Sequence, residues 1–138
     1  MLVEIGLIEK PDLDEFNRRG YYMVDAVKCP FQKGGGNATP PRVAIENCRS
    51  FLLQEISSYK PKVVCTLDKT SLGVFLNARR FRLSDYAGKF IENYCLKDAV
   101  AQLRIPILAC WFPTSMVDSE IKLEAMRHLR CILTNSIS

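Results

Sequence analysis

Apolar positions along the chain fall into short continuous runs separated by stretches with helical spacing. Residues 2 to 8 have helical character, and EKPDLDEFNRRG (9–20) reads as a connector containing a short helical turn. Tyr22 to Val27 is a β-branched and aromatic run, the pattern of a buried strand. Thr39 before Pro40 and Pro41 makes an N-cap followed by prolines tolerated in a first helical turn. The helix it opens places Ala44, Cys48, Phe51, Leu52, Ile56 and Tyr59 along one face, and Pro61 stops it. KVVCTLD (62–68) predicts a second strand, apolar on both faces as in a parallel sheet covered by helices. KTSLGVFLNARRF (69–81) predicts a helix beginning near Asp68, with Asp68 or Thr70 as its cap. Residues 84 to 104 read as a meander followed by a helix through LKDAVAQL. IPILACWF (105–112) is the third strand, and PTS turns the chain. The last helix runs from about Ser119 to Leu133 and directs Ile121, Ala125, Leu129 and Ile132 inward.

Strands alternating with helices predict an α/β fold, a three-layer sandwich with a mainly parallel central sheet. At 138 residues the chain fits one domain, 1–138, with a real core. In such a sheet the loops after the strands converge at the carboxyl ends, here Lys28 to Arg42, Asp68 to Ser71, and Phe112 to Met116. The first of these, FQKGGGNATPPR (31–42) after the short Lys28-Cys29-Pro30 exit, carries three consecutive glycines and two prolines. Asp25 to Cys29 is thereby delivered to the same cleft as Phe112.

Composition narrows the class. Hydrophobic residues make up 48% and charged residues 25%, ordinary for a soluble globular protein. No apolar run is long enough to span a bilayer, and the acidic N-terminus lacks the basic start of a signal peptide, so the expected location is cytoplasmic with no membrane partner. A net charge of +4 permits a polyanionic partner without demanding one. Six cysteines without a secretory signal do not suggest a disulfide framework, and no C-x-x-C pair supports a zinc ribbon. Cys65 and Cys110 sit inside apolar runs as small buried hydrophobes, whereas Cys29 and Cys48 flank the glycine-rich loop. Arg79, Arg80, Arg82 and Lys89 cluster around Phe81 and Tyr86; such a run can follow a nucleic-acid backbone, and is more often a solvated helix end.

The order YYMVDAVKCP, a Gly/Asn/Pro loop, IENCRSFLLQEISSYKPKVVCTL, then IPILACWFPTS with a closing helix resembles the uracil-DNA glycosylase superfamily, nearest to its thermostable iron–sulfur branch. The resemblance covers most of the chain from about Leu2. It implies a uracil-DNA glycosylase-like fold. It also implies that the family's first β-α unit is missing, together with the motif that positions the attacking water and the first two cluster cysteines. Cys29 and Cys48, with 18 residues between them, match the two later cluster ligands. Two thiolates do not hold a four-iron cluster, so no cofactor is expected unless further ligands are available.

Two departures touch the chemistry the resemblance implies. Asp25 stands where the family has an Asn that reads the Watson–Crick edge of uracil. An amide complements both the N3–H donor and the O4 acceptor, whereas an ionised carboxylate only accepts. Asp25 is therefore the candidate catalytic and base-pocket residue for a different ligand, or for a water, with a loop cap as the plain alternative. Phe112 stands where the family has a His that stabilises the leaving oxygen; it donates nothing, and is either a base-stacking wall of the pocket or a core residue. Lys28, Asp68, Pro113, Thr114 and Ser115 match positions that lie against DNA in the family, although a carboxylate at Asp68 repels a phosphate backbone.

Three functions follow. One is a degenerate member that binds nucleic acid or a nucleobase-type ligand without excising uracil. Another is an active repair glycosylase that hydrolyses the N-glycosidic bond of a damaged base. The third is an assembly protein that pairs with a second copy or a partner chain through an exposed sheet edge.

Overall fold

The computed structural model describes residues 2, 4, 6–26, 42–78, 80–91, 97, 100, 102–113 and 115–135. In chain order its elements are α1 (Leu13–Arg18), α2 (Arg42–Tyr59), β1 (Val64–Thr66), α3 (Lys69–Phe75), a 3-10 turn at Leu83–Asp85, β2 (Ile107–Ala109) and α4 (Ser119–Asn135). No described helix is long and apolar enough to cross a membrane.

β1 and β2 pair in parallel, with Val64 opposite Ile107, Cys65 opposite Leu108 and Thr66 opposite Ala109. Side chains alternate faces along a strand, and the two parities enter different clusters. Ile107, Ala109 and the half-buried Val64 join Leu52 and Ile56 of α2 and Leu72, Val74 and Phe75 of α3. Leu108, Cys110 and the half-buried Cys65 join Leu7 and Met126 and Leu129 of α4. The far side of β2 is occupied by the chain after the 3-10 turn, through an antiparallel bridge between Phe90 and Leu108. There Gly88 N–H donates to the Ala109 carbonyl (2.8 Å) and Ile91 N–H to that of Ile107 (2.9 Å). Gly88 has φ +81°, and a Cβ there would lie 3.5 Å from Ala125 Cα on α4. The left-handed backbone is what calls for glycine; the contact with α4 is of ordinary van der Waals length.

The first predicted strand is not formed among the described residues. Tyr21–Ala26 runs without a ladder, Tyr22 and Met23 are exposed, and only Val24 and Ala26 pack against the first cluster. Burial alternates only over its last described residues, with Val24 and Ala26 half-buried on either side of exposed Asp25, and a strand also needs a neighbour to share its backbone hydrogen bonds. Val27 and the glycine-rich loop, including the Thr39 cap, lie outside the described residues, as does half of LKDAVAQL, whose Val100 is buried.

Two helix faces also depart from the expected ones. On α2 the buried stripe is Cys48, Leu52 and Ile56 at i, i+4, i+8. Phe51 sits one residue, about 100°, from Leu52 and is 57% exposed. Tyr59 lies at the helix end, past the sheet, and is exposed; its hydroxyl donates to the Gly20 carbonyl and its ring stacks on Tyr22 at 5.3 Å. On α4 the buried stripe is Lys122, Ala125, Met126 and Leu129, which leaves Ile121 54% exposed and Ile132 half-buried.

Candidate nucleic-acid interface

Because β1 and β2 are parallel, the chain leaves both at the same end of the sheet, where Cys110 N–H donates to the Thr66 carbonyl at 2.8 Å. Asp68 and Phe112 therefore emerge side by side in topology, at the carboxyl ends where α/β sheets build their sites.

Asp68 caps α3. Its Oδ1 accepts from Ser71 N–H at 2.8 Å and from Ser71 Oγ at 2.6 Å, while Asp68 N–H donates to Ser71 Oγ at 3.3 Å. A carboxylate at a helix start satisfies amides that have no partner within the helix and favours the dipole. Of the two predicted caps, Asp68 is the one used.

After β2 the chain makes a turn in which Ser115 N–H donates to the Phe112 carbonyl at 3.0 Å, with Pro113 at its second position. Proline presets the backbone needed there. The Phe112 ring is 48% exposed, so it is a surface ring at the strand outlet and not a core residue. Beneath the turn lies Lys122 of α4, only 8% exposed, whose Nζ donates to the Pro113 carbonyl at 2.7 Å and the Ser115 carbonyl at 3.1 Å. The hydroxyls of Thr66 and Ser115 are buried without a hydrogen-bond partner among the described residues.

Asp25 is exposed on the extended segment before the glycine-rich loop and is engaged in interactions of its own. Lys28, Cys29 and Thr114 lie outside the described residues. Cys48 is buried on the inward stripe of α2. Among the described residues no group of three or more His, Cys, Asp and Glu side chains gathers to hold a metal. Cys65 and Cys110 pack in the second cluster with their sulfurs 3.4 Å apart. The hydrogen bond with Cys65, and then burial, pushes the Cys110 thiol far above its usual pKa.

The basic cluster divides by residue type. Phe81 and Tyr86 are half-buried, meet edge to face at 6.0 Å, and pack on the first core cluster. Arg80, Arg82 and Lys89 are exposed around them, and Lys69 Nζ lies 5.4 Å from the centre of the Phe81 ring. The aromatics are core and the cations solvated, which is the plain reading of the run. Two surface hollows of about 460 and 590 Å³ run along α2, lined by residues such as Leu53 and Ser57, or Phe51 and Tyr59. Neither is lined by Asp68 or Phe112.

A model of the uracil DNA glycosylase superfamily matches residues 3–130, nearly the whole chain. The chain belongs to that superfamily. Comparison with curated proteins and with solved structures gives no match. A parallel strand pair, helices whose residues join each parity of its side chains, and loops leaving at the carboxyl ends are compatible with a uracil-DNA glycosylase-like α/β fold.

Lys122 is the site residue the sequence reading missed. Its signal was present: it continues the apolar stripe of Ala125, Met126 and Leu129, a place where a lysine needs a reason.

Proposed function

We propose that this superfamily member binds single-stranded nucleic acid or a nucleobase-type ligand at the carboxyl ends of its strands, without excising uracil. Phe112 carries the reading. It is a half-exposed aromatic ring on the turn after β2, in the place where the resemblance puts an imidazole that stabilises the leaving oxygen. A preorganised donor of that kind supplies roughly 10²–10³ in rate, and a ring that cannot donate supplies none of it. The same ring is suited to stack on a base, a contact worth about 1–3 kcal/mol.

Asp25 reinforces the reading, since a carboxylate in the place of the uracil-reading amide selects a ligand presenting donors. Asp68 is committed to the α3 cap, the Ser115 N–H closes the turn onto Phe112 and the Ser115 hydroxyl is buried, so we assign phosphate contacts to Lys28 and Thr114. We read the architecture as a three-layer sandwich, supported by the separate clusters that α2 with α3, and α4, form with alternate strand residues. No iron–sulfur cluster is proposed, because Cys48 faces inward. A partner chain adding to the sheet would sit beside β1, because the outer side of β2 is taken by the Gly88–Ile91 segment.

The test is retention on immobilised single-stranded DNA across a salt gradient, with wild type and Phe112→Ala. Wild type is expected to elute earlier as salt rises, and the variant to bind about tenfold more weakly. Retention that ignores salt, or no retention, contradicts the reading and favours the assembly function.

A further inference from the structure

We propose that Lys122 is a positioning residue of the candidate site: its buried ammonium fixes the turn that presents Phe112. The inference rests in part on the binding function proposed above. Lys122 occupies the first turn of α4, where its own N–H donates to the Asp118 carbonyl at 3.1 Å. That is a poor place for a buried cation. The positive end of the helix dipole disfavours it, and taking an ammonium out of water is costly unless its donors are satisfied. No carboxylate lies within ion-pair distance of it among the described residues.

What satisfies it is one turn. Nζ donates to the carbonyls of Pro113 and Ser115, on either side of residue 114, while Ser115 N–H closes the same turn onto Phe112. A leucine or methionine at 122 would fill the stripe with Ala125, Met126 and Leu129 equally well, and would leave both carbonyls without a donor. The lysine therefore contributes directional bonds, not apolar volume. Both bonds are charge-assisted, the class roughly twice as strong as neutral ones. They tie the turn to α4, which in turn packs on β2 through Met126 and Leu129 against Leu108 and Cys110. The turn that carries Phe112 is thereby held by a residue that is itself buried.

Trp111, the chain's one tryptophan, adjoins this turn and reports on it. Acrylamide quenching of Trp111 and affinity for a fluorescent oligothymidylate are measured for wild type, Lys122→Arg and Lys122→Met, with far-UV circular dichroism on each. Lys122→Met is expected to keep its helix content, to expose Trp111 to the quencher, and to bind the oligonucleotide about tenfold more weakly. Lys122→Arg, which keeps the charge and the donors, is expected to recover most of both. A Lys122→Met protein with wild-type quenching overturns the proposal, as does one with loosened quenching and wild-type affinity. If Lys122→Met does not fold, Lys122→Gln, which keeps a donor without the charge, carries the same two measurements. If wild type itself does not bind the oligonucleotide, the binding function fails. The clamp is then decided by quenching alone, upheld if Lys122→Met loosens Trp111 and overturned if it does not.

Discussion

Glu15 turns its carboxylate onto the backbone that precedes it, accepting from Glu9 N–H at 2.6 Å and Lys10 N–H at 3.1 Å, with Arg19 Nε at 3.1 Å. The Glu9 amide above all holds its carboxyl below the usual value of 4.5, against the opposing effect of burial. The folded value is depressed, so the stability it contributes is present above pH 4.5 and is lost as pH falls through the folded value. Chemical denaturation of wild type and Glu15→Gln is therefore expected to show a constant gap near neutral pH that closes below pH 4.5; a gap that widens in acid contradicts this. The cysteines give a second check. Cys131 is exposed, while Cys110 is buried with its thiol pushed up by Cys65 and then by burial. Iodoacetamide on the native protein is expected to modify Cys131 and to spare Cys110 until unfolding. Labelling of Cys110 at the rate of Cys131 rules out the packing described. The burial of Cys110 was legible from its apolar run, whereas Glu15 looks like any helix-surface carboxylate until the loop before it folds back.

At the scale of elements, caps and periodicity carried most of the information. Asp68→Ala is expected to cost about 1 kcal/mol by removing the α3 cap, read as a shift in denaturation midpoint; an unchanged midpoint contradicts the capping box. Gly88→Ala is expected to cost about 1–2 kcal/mol, since an L side chain there must adopt the left-handed backbone at φ +81°. The helix begun at Asp68, the stop at Pro61 and the final helix from Ser119 were readable from local signals. Phe51 and Ile121 were not, because period alone leaves a helix face uncertain by one position and the packing partner decides it. Tyr22 to Val27 had the composition of a strand, but pairing is a property of two segments and no single run contains it. The place of Lys122 on the apolar stripe was legible, but its acceptors were not, because they are two carbonyls of a turn seven and nine residues earlier.

Across the whole molecule, the superfamily was legible as a resemblance carried by motifs in order, from YYMVDAVKCP through IENCRSFLLQEISSYKPKVVCTL to IPILACWFPTS, and the family model matches residues 3–130. Fold alone does not assign chemistry, so the proposed function rests on individual side chains and not on superfamily membership. In the function proposed above, Phe112 is a stacking surface held by a lysine clamp, in place of a donor that would assist base loss. The most direct measurement is incubation of the purified protein with a single-stranded oligonucleotide carrying one uracil, followed by alkali and separation of the products. The account predicts an intact strand, indistinguishable from the heat-killed control, under conditions where the protein binds the same oligonucleotide. Strand scission at the uracil above that control would contradict it.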